Sequence, residues 1–331
     1  MIKARSLPGW APPVAAMLVV LLINTILFPS FLQLRLVDGR LTGSLVDVLI
    51  RGAPVALLAL GMAGVIATRG IDLSVGAVMA IAGAVAANAL AGSASWTSAV
   101  VYALTAGLAC GLWNGMLVGF LKLQPIVATL VLMVAGRGIA QLITGGQITT
   151  FDDASFAALA GGTLLTIPAP ILIVATIAVL LTLLVRSTAL GLMVEAIGVN
   201  PRAAELVGIN TRSIVVAVYA LSGVTAALAG IIATADIKGA DANNAGLWLE
   251  LDAILVVVLG GGSLLGGRLS YGLTIVGAIT LQAIKTGILL AGFPPQMGLI
   301  LMAVMVSILL VVQAPALQQW LQHRALRRAA S

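Results

Sequence analysis

One histidine and one cysteine serve the whole 331-residue chain, and only 8% of its residues carry charge. Each shortage excludes something. Cys110 alone allows no disulfide within the chain and no cysteine-based metal cluster. His323 lies in the basic tail, there is no H-E-x-x-H pair, and no paired-carboxylate site falls within an apolar run, so neither a metal centre nor a catalytic group is signalled. Soluble domains carry about 25% charged residues; a chain with so few cannot cover a water-facing surface.

What the chain has is apolar text. Hydrophobic residues make up 61% of it, which marks an all-α polytopic membrane protein, with about 20 mostly apolar residues needed for each crossing. The runs predict ten helices, near 11–32, 52–68, 74–92, 97–120, 125–145, 168–185, 213–235, 251–265, 269–291 and 295–313, forming a single transmembrane domain over residues 1–331. The first run is too long for a signal h-region and lacks a cleavage site, so it reads as a retained helix. The net charge of +6 is scattered between the runs and signals topology, not nucleic acid. With both termini inside, one face holds Lys3, Arg5, Arg69, Lys122, Arg186, Arg202, Arg212, Arg268, Arg324, Arg327 and Arg328, the last three in a basic tail at 316–331. The other face holds only Arg35, Arg40, Arg51 and Lys238.

Between the second and third runs stands Arg69-Gly70-Ile71-Asp72-Leu73-Ser74. Gly70 suits a helix end, and Asp72 or Ser74 suits the cap of the next helix. The break reads either as a tight inner turn or as a broken helix lining a pathway. A weak internal repeat points to a transporter: "GVIAT" at 64–68 returns as "GIIAT" at 230–234, and Asn114-Gly115 with Pro125 is echoed by Thr286-Gly287 with Pro295. Five helices separate the copies, so they run in opposite directions, a common transporter plan.

Gly107, Gly111, Gly115 and Gly119 build a small-residue ridge for close helix contact. Beside it, Asn114 reads as pathway or as interhelical hydrogen bond. Arg137 and Lys285 are the cations well inside predicted spans, each near a glutamine, Gln141 and Gln282. These five polar residues are the candidate substrate path; snorkelling to the interface is the alternative for the two cations. No acidic residue falls in the middle of a predicted span, which argues against a proton-coupled carrier. "GGGSLLGGRL" at 260–269 lacks the lysine and hydroxyl of a phosphate loop, so the glycines serve a bend or close packing and no nucleotide site is present.

The inner segment 186–212 contains a short helix capped by Asn200, opened by Pro201 and stopped by Gly208. At about seven residues it is too short to stand alone. Ala203, Ala204, Leu206 and Val207 need a surface, either this protein's own inner face or, preferably, a cytoplasmic subunit. On the outer side, Asp236 to Asp252 is long for this chain. Asp241, Asn243 and Asn244 suit a wet turn that meets a partner or gates entry, and Trp248 reads as interface anchor or membrane-boundary residue.

"GIDLSVGAVMAIAGA", "NPRAAELVGIN" and "GGGSLLGG" together resemble the permeases of ribose-type sugar importers driven by ATP-binding-cassette (ABC) subunits. The outer segment "KGADANNAGLWLELDAIL" is most similar to a galactofuranose importer permease. The resemblance implies about ten helices in a type II importer-like fold, a bacterial inner-membrane location, a second permease subunit identical or homologous, a cytoplasmic ATPase and a periplasmic sugar-binding protein. It implies no cofactor and no catalysis by this chain. The family's coupling segment falls here on Gly191 to Gly208, including Glu195. The rival class is an ion-coupled secondary sugar carrier; a third is a structural membrane protein without transport.

Overall fold

The computed structural model describes residues 8–37, 39–294, 296–300, 303–305 and 307. The chain divides into two units, Met1–Ala283 and Ile284–Ser331. Its elements in order are α1 (Ala11–Leu27), β1 (Arg35–Val37), β2 (Arg40–Thr42), α2 (Ser44–Ala67), α3 (Val75–Ala91), α4 (Trp96–Gly119), α5 (Pro125–Thr144), β3 (Thr149–Thr150), α6 (Ala154–Gly161), β4 (Thr163–Leu164), β5 (Ile167–Pro168), α7 (Ala169–Ser187), α8 (Leu190–Val199), α9 (Pro201–Leu206), α10 (Thr211–Ile237), β6 (Gly239–Ala240), α11 (Leu249–Leu259) and α12 (Tyr271–Leu290). Among the described residues six helices, α2, α4, α5, α7, α10 and α12, are long and apolar enough to cross a membrane. The last predicted span, 295–313, is helical at 297–300, 303–305 and 307. Its remainder and the basic tail lie outside the described residues.

The first unit is organised around α10, which packs against α4, α2 and α3. Small residues set these approaches. A Cβ on Gly223 would overlap the Gly107 carbonyl, one on Gly111 would overlap the Tyr219 carbonyl, and one on Gly61 would overlap the Thr225 hydroxyl. The predicted ridge on α4 is therefore a backbone-to-backbone seam, and Gly107, Gly111, Gly115 and Gly119 all face α10. With apolar surroundings on both sides of a helix pair, close packing substitutes for the hydrophobic effect. The pairings also fix directions: α2 and α4 run antiparallel to α10, whereas α3 runs beside it in parallel, with Gly230 on Met79 and Gly83 on Thr234.

One end of this unit is formed by the close of α2, the start of α10, α8 and α9. The other carries the starts of α2 and α4, α6 and the short pairing of β3 with β6.

Three predicted spans have different limits, the first of them, 11–32, ending at Leu27. The second begins at Ser44, eight positions before Gly52. Asp47 sits in its first helical turn, where exposed N–H groups favour an acid, so charges that read as loop belong to a helix end. The eighth, predicted over 251–265, is an eleven-residue helix ending at Leu259. At 1.5 Å per residue it covers about half of the ~30 Å hydrocarbon thickness. Gly260 caps it, Gly261 takes a φ of +84° that favours glycine, and the Leu273 backbone of α12 occupies the space a Gly260 side chain would need.

Candidate functional site

The α8–α9 end comes first. Asn200 accepts from the Arg202 and Ala203 N–H groups at 3.1 Å each, Pro201 opens the helix and Gly208 follows it with a φ of +89°. The segment holds two helices rather than one, because α8 precedes this capped turn. Its inward side is already partnered: Val194, Ile197 and Ala204 share a buried cluster with Val65, Ala67, Ile214, Val218 and Tyr219. Glu195 accepts from the Leu269 N–H at 2.9 Å. A Cβ on Gly191 would overlap the Val185 side chain. Ala204 thus packs on this chain's own core. The outward apolar surface belongs to Leu206 and Val207, 83% and 77% exposed, with Ala203 beside them.

The second assembly lies in the interior. Asp72 is 2% exposed. Its Oδ1 accepts from the Ser74 N–H at 3.0 Å and the Ser74 hydroxyl at 2.6 Å, and its Oδ2 accepts from the Ser222 hydroxyl of α10 at 2.8 Å. Asn114 of α4, fully buried, donates to Ser74 Oγ at 2.8 Å and lies 3.5 Å from Asp72 Oδ1. The break runs from exposed Arg69 to buried Asp72 and Ser74, where irregular backbone survives because protein surrounds it. Asp72 stays in the break between α2 and α3, outside the middle of either helix, and the partners from α4 and α10 bury it.

The third assembly is at the opposite end. The chain after α10 descends: Gly246, φ +71°, packs on the backbone of Gly76 near the start of α3. α11 then begins from this depth. Arg137 of α5 makes the descent feasible, its Nη1 donating to the Ala242 carbonyl at 3.1 Å and the Ala245 carbonyl at 2.5 Å. Gln141 Nε2 donates to Asn243 Oδ1 at 2.8 Å. Asp241 Oδ1 accepts from the Asn243 and Asn244 N–H groups, and Asn244 Nδ2 donates to Asp241 Oδ2 at 2.8 Å. The Asn244 side chain above all holds the Asp241 carboxyl below its ordinary range. Trp248, half exposed, takes a φ of +65° just before α11.

Above this loop opens a cavity of about 550 Å³ whose lining includes Arg40, Asp47, Arg51, Asp236, Asp241 and Asn244. Cations, anions and an amide converge on it, so it offers both donors and acceptors to a neutral polar solute.

The family described as "branched-chain amino acid transport system / permease component" matches residues 44–310. The chain belongs to that permease family. It is 56% identical over 307 residues to the galactofuranose transporter permease protein YtfT of Escherichia coli (strain K12), covering 93% of this chain and 90% of that protein. It is 41% identical over 325 residues to the fructose import permease protein FruF of Bifidobacterium longum (strain NCC 2705), covering 96% and 90%. It is 36% identical over 301 residues to the ribose import permease protein RbsC of Escherichia coli (strain K12), covering 90% and 91%.

In this permease the five path candidates fall in different places. Arg137 and Gln141 hold the descending loop, Asn114 belongs to the Asp72 network, and Gln282 packs over Gly52 of α2. Lys285 lies in the second unit. The sequence leaves Asp72 in a break that reads as an inner turn or as a broken helix, and it puts Arg51 and Asp236 on the outer side. What joins the first to Ser222, and the others to one cavity, is contact between elements far apart in sequence, which no local pattern encodes.

Proposed function

We infer that this chain is the membrane-spanning permease subunit of an ABC importer for a sugar, with galactofuranose as the substrate. The observation that carries the reading is the 56% identity, over 93% of the chain, to a galactofuranose transporter permease. The cavity supports it: its volume suits a small solute, and its mixed Arg and Asp lining suits hydroxyls more than a net charge.

The chain works in the bacterial inner membrane with both termini in the cytoplasm. Arg69, Arg186, Arg202, Arg212 and Arg268 gather towards the α8–α9 end, the excess expected of a cytoplasmic face. α1, α3 and the descending loop with α11 add crossings to those of the six long helices. "GVIAT" closes α2 at one end while "GIIAT" lies towards the other end of α10, which supports an inverted repeat.

A separate cytoplasmic ATPase docks on α8–α9, with Gly191, Glu195, Asn200, Ala203, Ala204 and Gly208 shaping the surface. A periplasmic binding protein delivers sugar to the cavity, and Asp241, Asn243, Asn244 and Trp248 form the outer gate. Arg137 and Gln141, which hold the descending loop, contribute to the path, which a second permease subunit completes. The chain itself hydrolyses no ATP. Proteoliposomes holding the permease, its ATPase and its binding protein, offered labelled galactofuranose, ribose and fructose in competition, test the substrate. Galactofuranose should accumulate in preference to the other two; equal or greater uptake of ribose or fructose overturns the assignment.

A further inference from the structure

The segment 68–74 is tied at every side. Arg69 holds a left-handed backbone, φ +65°, which a residue with a side chain keeps only when its surroundings fix it. Its Nη2 donates to the Val199 carbonyl at the end of α8, at 2.6 Å, and its Nε donates to the Leu265 carbonyl in the glycine loop, at 3.1 Å. The three backbones meet here with little between them. The Gly267 N–H donates to the Ala67 carbonyl at 2.9 Å, a Cβ on Gly198 would overlap that same carbonyl, and one on Gly266 would press on Arg69 Cγ. This is the work of the glycines in "GGGSLLGGRL": they let the loop lie directly on α8 and on the end of α2.

The next residues reach the other helices. The Tyr219 hydroxyl of α10 donates to the Ile71 carbonyl at 3.5 Å, Asp72 accepts from Ser222 of α10, and the Leu73 N–H donates to Thr129 Oγ1 of α5 at 3.1 Å. One short, strained piece of chain therefore joins the tip of α8 to the interior faces of α10, α4 and α5.

We propose that Arg69 is the positioning residue that couples the α8–α9 surface to the interior break, so that displacement of α8 by the ATPase is passed through Arg69 to Asp72 and its partners. The guanidinium suits the role because its rigid fork binds two carbonyls from separate segments at once, which a lysine ammonium on a flexible stem does less well. Backbone carbonyls as partners tie Arg69 to the path of the chain rather than to any neighbouring side chain.

The inference rests on α8–α9 receiving the ATPase. If that reading fails, Leu206→Asp leaves the ATPase bound, an outcome separate from anything Arg69 variants report. The test uses the complete importer in proteoliposomes and reads sugar moved per ATP hydrolysed. Arg69→Ala should co-purify with the ATPase at wild-type yield and keep ATP hydrolysis, while sugar per ATP falls about tenfold, the size of a typical coupling term. Arg69→Gln, which keeps a donor without the charge, and Arg69→Lys, which keeps the charge without the fork, should each fall between. A wild-type ratio in Arg69→Ala overturns the proposal. So does full rescue by lysine, which makes charge alone sufficient, and so does loss of the ATPase from the Arg69→Ala complex, which places Arg69 on the docking surface itself.

Discussion

Asp72 illustrates how one residue acquires its role from partners it meets only in the fold. Its carboxylate is saturated by the Ser74 N–H, the Ser74 hydroxyl and the Ser222 hydroxyl. Removing it strands those donors in the interior, where each unsatisfied group costs about 1–3 kcal/mol. Asp72→Ala should therefore destabilise the protein by roughly 3 kcal/mol or more, and Asp72→Asn, which keeps an acceptor and the shape, by about half as much. Thermal unfolding midpoints in detergent check the order; equal midpoints for the two variants would refute the network. Asp241 carries a different prediction. Its carboxyl is held below the ordinary value by the Asn244 side chain. A depressed carboxyl contributes stability fully above its unfolded pKa, about 3.9, and loses it as pH falls through the lower folded value. The turn at 241–244 should stay intact from pH 7 to about 4 and loosen only below that. Fluorescence of a variant retaining Trp248 as its sole tryptophan reads this, and Asp241→Asn should remove the transition.

At the scale of elements, the seam between α4 and α10 shows how glycine content becomes structure. Gly223 sits where a Cβ would overlap the Gly107 carbonyl, while Gly138 on α5 has no neighbour within 4 Å of a built Cβ. Backbone cannot yield as a flexible side chain does, so Gly223→Ala should cost about 1–3 kcal/mol through forced separation of the helices. Gly138→Ala should be neutral or stabilise by up to about 1 kcal/mol through helix propensity. Denaturation of the pair in parallel decides whether the seam is as tight as the geometry has it. The same logic explains α11. Its glycine-rich end and the Arg137 bonds to the Ala242 and Ala245 carbonyls let irregular chain replace half a helix, because those carbonyls find donors without water.

For the whole molecule, the two ends of the first unit have opposite characters. One gathers acids and amides with Arg40 and Arg51 around a cavity; the other presents apolar helix surface at Leu206 and Val207, with Arg69, Arg186, Arg202, Arg212 and Arg268 gathered towards it. Leu206 at the end of α9 and Val207 just after it are 83% and 77% exposed, the apolar surface on which the proposed ATPase docking rests. Leu206→Asp and Val207→Asp should leave membrane insertion unchanged and abolish ATPase co-purification and uptake. Ala204→Arg, by contrast, should damage the permease itself, because Ala204 packs with Tyr219 and Ile214. Retention of the ATPase by both aspartate variants would move the docking surface elsewhere.

Composition and periodicity by themselves determined that the chain lives in a membrane, where most helices run, and which short segment carries the Asn200 cap and Gly208 stop. Those features are local: an apolar run, a cap and a glycine act within a few residues, and the text of the chain displays them directly. The motif similarity likewise placed the chain among sugar importer permeases, because it spans contiguous stretches. Tertiary structure alone decided that Asp72 meets Ser222 and Asn114, that Arg137 serves the carbonyls of a descending loop, that the predicted span at 251–265 stops at Leu259, and that Ala204 faces inward. Each of these depends on backbones brought together from distant parts of the sequence, where hydrogen-bonding groups excluded from water must find partners across elements. Such a requirement is met by three-dimensional contact, and the identity of the partner leaves no trace in the residues beside it.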